Sequence, residues 1–151
     1  MDEMELLYTG ISYSLQMLYD NDFKLICDEK NNHVSERSIV FKFGKYFDEY
    51  CKEHFKSYIV DIEYNRNIYD IKRIGIDNVI PDLILHQRQD NKYNLLVLEF
   101  KTWWNVTNEN LEADKLKVSK FMNQDGDYCY KYGMVIVIGK SIDECKKYYV
   151  E

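Results

Sequence analysis

Ile80-Pro81-Asp82-Leu83-Ile84-Leu85 and, beyond a polar stretch, Leu95-Leu96-Val97-Leu98-Glu99-Phe100-Lys101 decide the fold of this chain. Both runs are rich in Leu, Ile and Val, which suit a pleated, buried surface. Gln89-Asp90-Asn91-Lys92 between them supplies turn chemistry, so the stretch predicts a β-hairpin. Side chains alternate along a strand, which puts Glu99 and Lys101 on one face and Leu98 and Phe100 on the other. Folding the hairpin back brings Asp82 beside Glu99. Carboxylates and an ammonium then converge on apolar strands, a costly arrangement unless something is bound between them.

Paired carboxylates with open positions suit Mg²⁺ (or Mn²⁺), an ion that prefers oxygen ligands and keeps waters for a phosphate to replace. A lysine beside them can hold the scissile phosphate or steer the attacking water. These are the parts of metal-assisted phosphodiester hydrolysis. The simpler reading is a salt bridge between Lys101 and Asp82 or Glu99 at the end of the sheet.

Pro81-Asp82 with Glu99-Phe100-Lys101 resembles the signature of the PD-(D/E)xK nuclease superfamily, the restriction-endonuclease-like fold. Val60-Asp61-Ile62-Glu63-Tyr64-Asn65-Arg66 ahead of the hairpin is similar to a branch of small bacterial members with a Val-Asp-x-Glu-Tyr-Asn-Arg strand. Asp114-x-x-Lys117 and Tyr130-Lys131-Tyr132-Gly133 before an apolar strand also fit, and the likeness spans about residues 33–139. It implies a mixed central β-sheet flanked by helices, with an α-β-β-β-α-β core. It further implies that Glu36, Asp82, Glu99 and Lys101 take the active-site roles, with Glu36, Asp82 and Glu99 as metal ligands. The same fold also carries degenerate relatives.

At 151 residues the chain is expected to form one domain, with residues 1–30 as an acidic helical extension outside the core. Cys27, Cys51, Cys129 and Cys145 show no Cys-x-x-Cys spacing and read as free thiols in a reducing compartment. Met1-Asp2-Glu3-Met4-Glu5 is acidic where a secretory signal is basic, and no apolar run reaches membrane-spanning length, so a cytoplasmic protein with no membrane partner is expected. The net charge of −6 is unevenly spread: residues 1–30 carry −5 and the remainder −1. The remainder is thus near neutral, which leaves room for a local basic face but argues against tight non-specific binding through many phosphates.

Met4, Leu7, Tyr8, Ile11, Leu15 and Leu18 recur at helical spacing and predict a helix over about residues 3–19, for packing or for dimerisation. A second helix runs from an N-cap at Ser35 to about Phe55, with Glu36, Val40, Phe43, Phe47, Cys51 and His54 on one stripe. Glu36 either complements the helix dipole or joins the hairpin carboxylates, and His54 reads as a core histidine. Residues 57–65 predict a strand, and the resemblance raises Asp61, Glu63 and Arg66 to supporting positions. The connection to Asn78, with Lys72 and Arg73, is long enough to form a loop over the site.

Asp82, Ile84, His86 and Arg88 share a face by alternation, but His86 lies about 13 Å along the strand from Asp82. It therefore suits substrate contact, with Arg88 and Arg66, rather than the same ion. Trp103-Trp104 either stack on bases or bury against the next helix. Residues 108–122 predict a crossover helix capped by Asn108, whose Lys115, Lys117 and Lys120 form a solvated or phosphate-contacting side. Met134–Ile138 reads as a strand buried on both faces, and Ser141–Tyr149 as a short closing helix.

Together these features predict a Mg²⁺-dependent nuclease acting on nucleic acid, DNA foremost, with specificity supplied by loops, a homodimer or a partner protein. The alternative is a catalytically silent module that binds nucleic acid or a protein.

Overall fold

The computed structural model describes residues 1–65, 73–74 and 77–151. Helix α1 spans Glu3–Ile26 and α2 spans Glu36–His54. Strand β1 is Ile59–Ile62, the two-residue strands β2 and β3 are Arg73–Ile74 and Asp77–Asn78, and the hairpin is β4 Leu83–Gln87 with β5 Asp90–Thr102. Helix α3 (Asn108–Met122), β6 (Tyr132–Ile138) and β7 (Lys146–Val150) complete the chain. From α2 to β6 the main sheet and its helices follow the expected α-β-β-β-α-β order. Arg66 and most of the connection expected to cover the site lie outside the described residues.

The main sheet has the order β1-β4-β5-β6-β7, with β5 and β6 parallel and the other pairs antiparallel. A parallel pair needs a long crossover, and α3 supplies it. Strand alternation sorts the core into two layers. Leu83, Leu85, Leu96, Leu98, Phe100, Met134, Ile136 and Ile138 pack with the apolar sides of α1 and α2. Ile84, Val97, Val135 and Val137 pack with Leu111, Val118 and Phe121 of α3 on the opposite face. The parity of β5 thus commits Glu99 and Lys101 to the α3 side.

Helix α1 starts in a capping box, Asp2 and Glu5 each accepting the other's backbone N–H. It continues past the predicted end to Ile26 with non-helical φ/ψ at Asp22, because Ile26 buries fully against the core. Ser35 caps α2 as expected, accepting from the Ser38 N–H at 3.1 Å. Val40, Phe43, Phe47 and Cys51 bury along its stripe, whereas His54 is exposed and stacks on Tyr50 one turn earlier. The hairpin turns one step before the predicted stretch: Gln87 pairs with Asp90, and Gln89 takes the positive φ that a tight turn requires. Thr107, not Asn108, caps α3.

The C-terminal segment forms a strand, where a helix was expected. Ile142–Glu144 make a single 3₁₀ turn, and Lys146–Val150 then pair antiparallel with β6 from Val137 back to Gly133. Without β7 the wholly apolar β6 would present an unpaired edge. Tyr148, Tyr149 and Val150 favour the extended state that covers it. All four cysteines are free. Among the described residues no helix is long and apolar enough to cross a membrane.

Gly133 sets how closely α3 can lie on the sheet, since a Cβ there would collide with Val118 and Met122. Gly133→Ala is expected to cost about 1–3 kcal/mol of stability, the usual range for overpacking. Urea unfolding monitored by circular dichroism would measure it.

Candidate active site

Asp82 lies at the entry to β4 and Glu99 and Lys101 near the end of β5, so the hairpin delivers all three. The register Leu83↔Leu98 places Asp82 beside the Glu99–Phe100 segment. The Asp82 N–H donates to Glu99 Oε1 at 3.2 Å, and the Phe100 N–H donates to Asp82 Oδ2 at 2.8 Å. The convergence of the hairpin acids predicted from alternation is therefore present.

Helix α3 closes the cluster from above. Lys117 Nζ lies 2.9 Å from Glu99 Oε1 and donates to the Ile80 carbonyl at 2.8 Å. Lys101 Nζ lies 2.9 Å from Asp114 Oδ2. Lys101 thus pairs with neither Asp82 nor Glu99, and the simple salt bridge weighed from the sequence is replaced by one to a residue on α3. Asp114 is a site residue that the hairpin pattern does not disclose. Its signal was the Asp114-x-x-Lys117 spacing, which puts both side chains on one helix face.

Glu36 reaches the cluster from the first turn of α2. Its Oε2 accepts from Asn105 Nδ2 at 2.9 Å and from Thr102 Oγ1 at 3.5 Å. Thr102 follows Lys101 directly, so the acid sits at the end of β5, within electrostatic range of Lys101, Asp82 and Asp114. Nothing in the local sequence marked Asn105 as its holder, because that contact joins segments 69 residues apart.

Four carboxylates (Glu36, Asp82, Glu99 and Asp114) therefore face only two ammonium groups. Burial pushes the Glu99 carboxyl well above the usual range, and the Asp82 charge pushes it further while Lys117 opposes. Burial also raises Asp82, against the Phe100 N–H and Lys117, and raises Glu36, against Asn105 and Lys101. For Lys101 burial works against the charge, but Asp114 outweighs it and the pKa rises, so the ammonium stays protonated at neutral pH.

The remaining candidates lie elsewhere. His86 is buried and its Nε2 lies 2.7 Å from Asp61 Oδ2, while Arg88 grips both oxygens of the same carboxylate at 2.9 and 2.7 Å. Burial would raise Asp61, but the hydrogen bonds from Arg88 and His86 hold it well below the usual range. This group sits at the opposite end of β4 from Asp82. Substrate contact by His86 is thus replaced by a buried contact with Asp61, and Asp61 serves His86 and Arg88 rather than the Asp82 cluster. Glu63 pairs with Arg37 at 2.9 Å. Lys115 does not share a side with Lys117: two helical positions are about 200° apart. It pairs with Glu112 at 3.1 Å and lies over the Tyr148 ring of β7. Trp103 and Trp104 pack towards the α1–α2 connection and not against α3, with Trp103 Nε1 donating to the Ile26 carbonyl at 2.9 Å.

No family model, curated protein or solved structure matches the chain. Among the described residues no three His, Cys, Asp or Glu side chains form a ready metal-binding group. The donor set nevertheless fits Mg²⁺ or Mn²⁺, since Mg²⁺ commonly takes one or two carboxylates and completes its shell with water. Asp82 and Glu99 are hard oxygen donors that the hairpin sets side by side, and the Lys117 ammonium already holds a cation's place against Glu99.

The raised acids fix a pH dependence. Each binds its proton more tightly in the folded state, so its stabilising contribution is full below the ordinary carboxylate range and is lost as pH rises through the raised value. Asp61 acts in the opposite sense, with stability lost as pH falls. Glu99→Gln, which mimics the protonated acid, is expected to raise the neutral-pH Tm by about 2–5 °C. Thermal melts at descending pH should show the gap to wild type closing towards about pH 4, the ordinary carboxylate range.

Proposed function

We propose that this protein is a metal-dependent nuclease that hydrolyses phosphodiester bonds of nucleic acid, DNA foremost. The observation carrying this reading is the acidic excess of the cluster: carboxylates outnumber lysines two to one, and burial and mutual repulsion raise three of them. A purely structural ion-pair network gains by balancing its charges, whereas this one is left in need of a further cation.

Asp82 and Glu99 would hold a Mg²⁺ or Mn²⁺ ion, with Glu36 facing them from the end of β5. Such an ion supplies a positive charge for the phosphate and lowers the pKa of the attacking water. Lys101 stays protonated and orients that water, donating to a phosphate oxygen as negative charge builds there. The water oxygen bonds to phosphorus while the bond to one ester oxygen breaks, leaving a phosphomonoester and an alcohol. Asp114 positions Lys101, and Lys117 offsets the charge of Glu99.

One observation favours a second reading, the catalytically silent module. Both lysines are already ion-paired, so the network closes without substrate. Metal binding separates the two readings, because a silent module has no use for the ion.

Millimolar Mn²⁺ should raise the Tm of the wild-type protein, since the ion binds only the folded state. Asp82→Ala and Glu99→Ala should lose both that rise and cleavage. Lys101→Ala should keep the metal-induced rise while cleaving about 100- to 1,000-fold more slowly, the usual loss for one transition-state donor. Differential scanning fluorimetry and a gel assay on labelled oligonucleotides provide the measurements. Equal cleavage by wild type and Lys101→Ala would assign the activity to another site or to contamination.

A further inference from the structure

Two aromatic residues flank the segments that deliver the cluster: His33 lies three positions before Glu36, and Trp104 three positions after Lys101. Their rings stack face to face, with centroids 3.6 Å apart and planes within 6° of parallel. Trp103 meets both edge-on, at 5.6 Å from His33 and 5.5 Å from Trp104, and its indole N–H is tied to the end of α1. The Lys140 ammonium lies over the Trp103 ring at 4.6 Å. Trp104 is half-buried and His33 is exposed, so the column ends in an open imidazole face.

The platform is built in advance. Asp28 Oδ1 accepts the N–H groups of Lys30 and Asn32, both at 2.8 Å, and Oδ2 accepts from Asn32 Nδ2 at 3.0 Å. These bonds fix the turn that presents His33. At the other end, Asn105 follows Trp104 directly and holds Glu36 at 2.9 Å. Asn105 therefore links the column to the acid cluster.

We propose that the His33–Trp104 column stacks an unpaired base, so that the strand cut at the cluster is single-stranded. This inference rests on the nuclease reading of the cluster. Every base has a π-face that an aromatic platform can take whatever its identity, but in a duplex those faces are already stacked on one another. The base extends the column on the open face of His33, and Lys140 offers a charge to the adjoining phosphates. The remainder of the chain is near neutral, so stacking and not a broad cationic surface supplies most of the affinity.

Trp103 and Trp104 are the chain's only tryptophans, so intrinsic emission reports on the platform alone. The test titrates the whole protein in EDTA with labelled oligothymidylate, oligouridylate and a blunt duplex, reading anisotropy and tryptophan emission. Single strands are expected to bind and change the emission, with the duplex at least about tenfold weaker. The thymidylate and uridylate arms distinguish DNA from RNA. Trp104→Ala and His33→Ala should each weaken single-strand binding by about five- to 100-fold. His33 is exposed, so its loss leaves the fold intact. Wild-type affinity in both variants, or a duplex bound as tightly as a single strand, would overturn the proposal.

Cleavage with Mn²⁺ is assayed separately on the same substrates. Duplex cleavage without an emission change overturns the stacking platform and leaves the nuclease reading standing. Single-strand binding weakened by anisotropy in both Trp104→Ala and His33→Ala, with no cleavage by any form, upholds the platform and overturns the nuclease.

Discussion

Charge buried between β5 and α3 is the constraint on which the site depends. Glu99 is 2% exposed on a sheet face that Ile84, Val97, Val135 and Val137 make largely apolar. Removing an isolated carboxylate from water costs several kcal/mol unless it is paired and hydrogen-bonded. Lys117 and the Asp82 N–H supply that compensation, and both depend on α3 and the hairpin keeping one mutual position. Lys101 and Asp114 repeat the arrangement one step along β5. Gly133, by letting α3 lie close to β6, is part of the same constraint although it carries no charge.

The two ends of β4 show what an unbalanced cluster means. At the Gln87 end, one acid, Asp61, meets His86 and Arg88, and its pKa is held down. That group is satisfied within the chain and stabilises the packing of β1 on β4. At the Asp82 end, acids exceed bases and the pKa values move up. Opposite shifts on one strand separate a group whose charges balance from a cluster with an excess of buried acid.

The elements were largely legible because their patterns are local. Helical spacing and the Ser35 cap marked α2, and unbroken apolar runs marked β4, β5 and β6. Errors gathered where tertiary contacts decide. The end of α1 depends on where Ile26 can bury, and His54 follows the apolar stripe but passes beyond the edge of the core. Lys146–Val150 became a strand because β6 offered an edge to pair with, which no local pattern announces.

The sequence by itself determined which face each hairpin side chain occupies, since strand alternation leaves Glu99 and Lys101 no choice once Leu98 and Phe100 are buried. The meeting of Asp82 and Glu99 was legible from the same hairpin pattern, but the observed turn does not by itself set it, because irregularities between Leu85 and Gln87 shift the pairing before it reaches Leu83 and Leu98. Only the tertiary structure decided the partners: Lys101 with Asp114, Lys117 with Glu99, Asn105 with Glu36, and His86 with Asp61. Long charged side chains reach several neighbours of equal chemical merit. Which one they meet is set by the distance between packed elements, a quantity fixed by core volume and close backbone approach rather than by any residue's immediate neighbours in the chain.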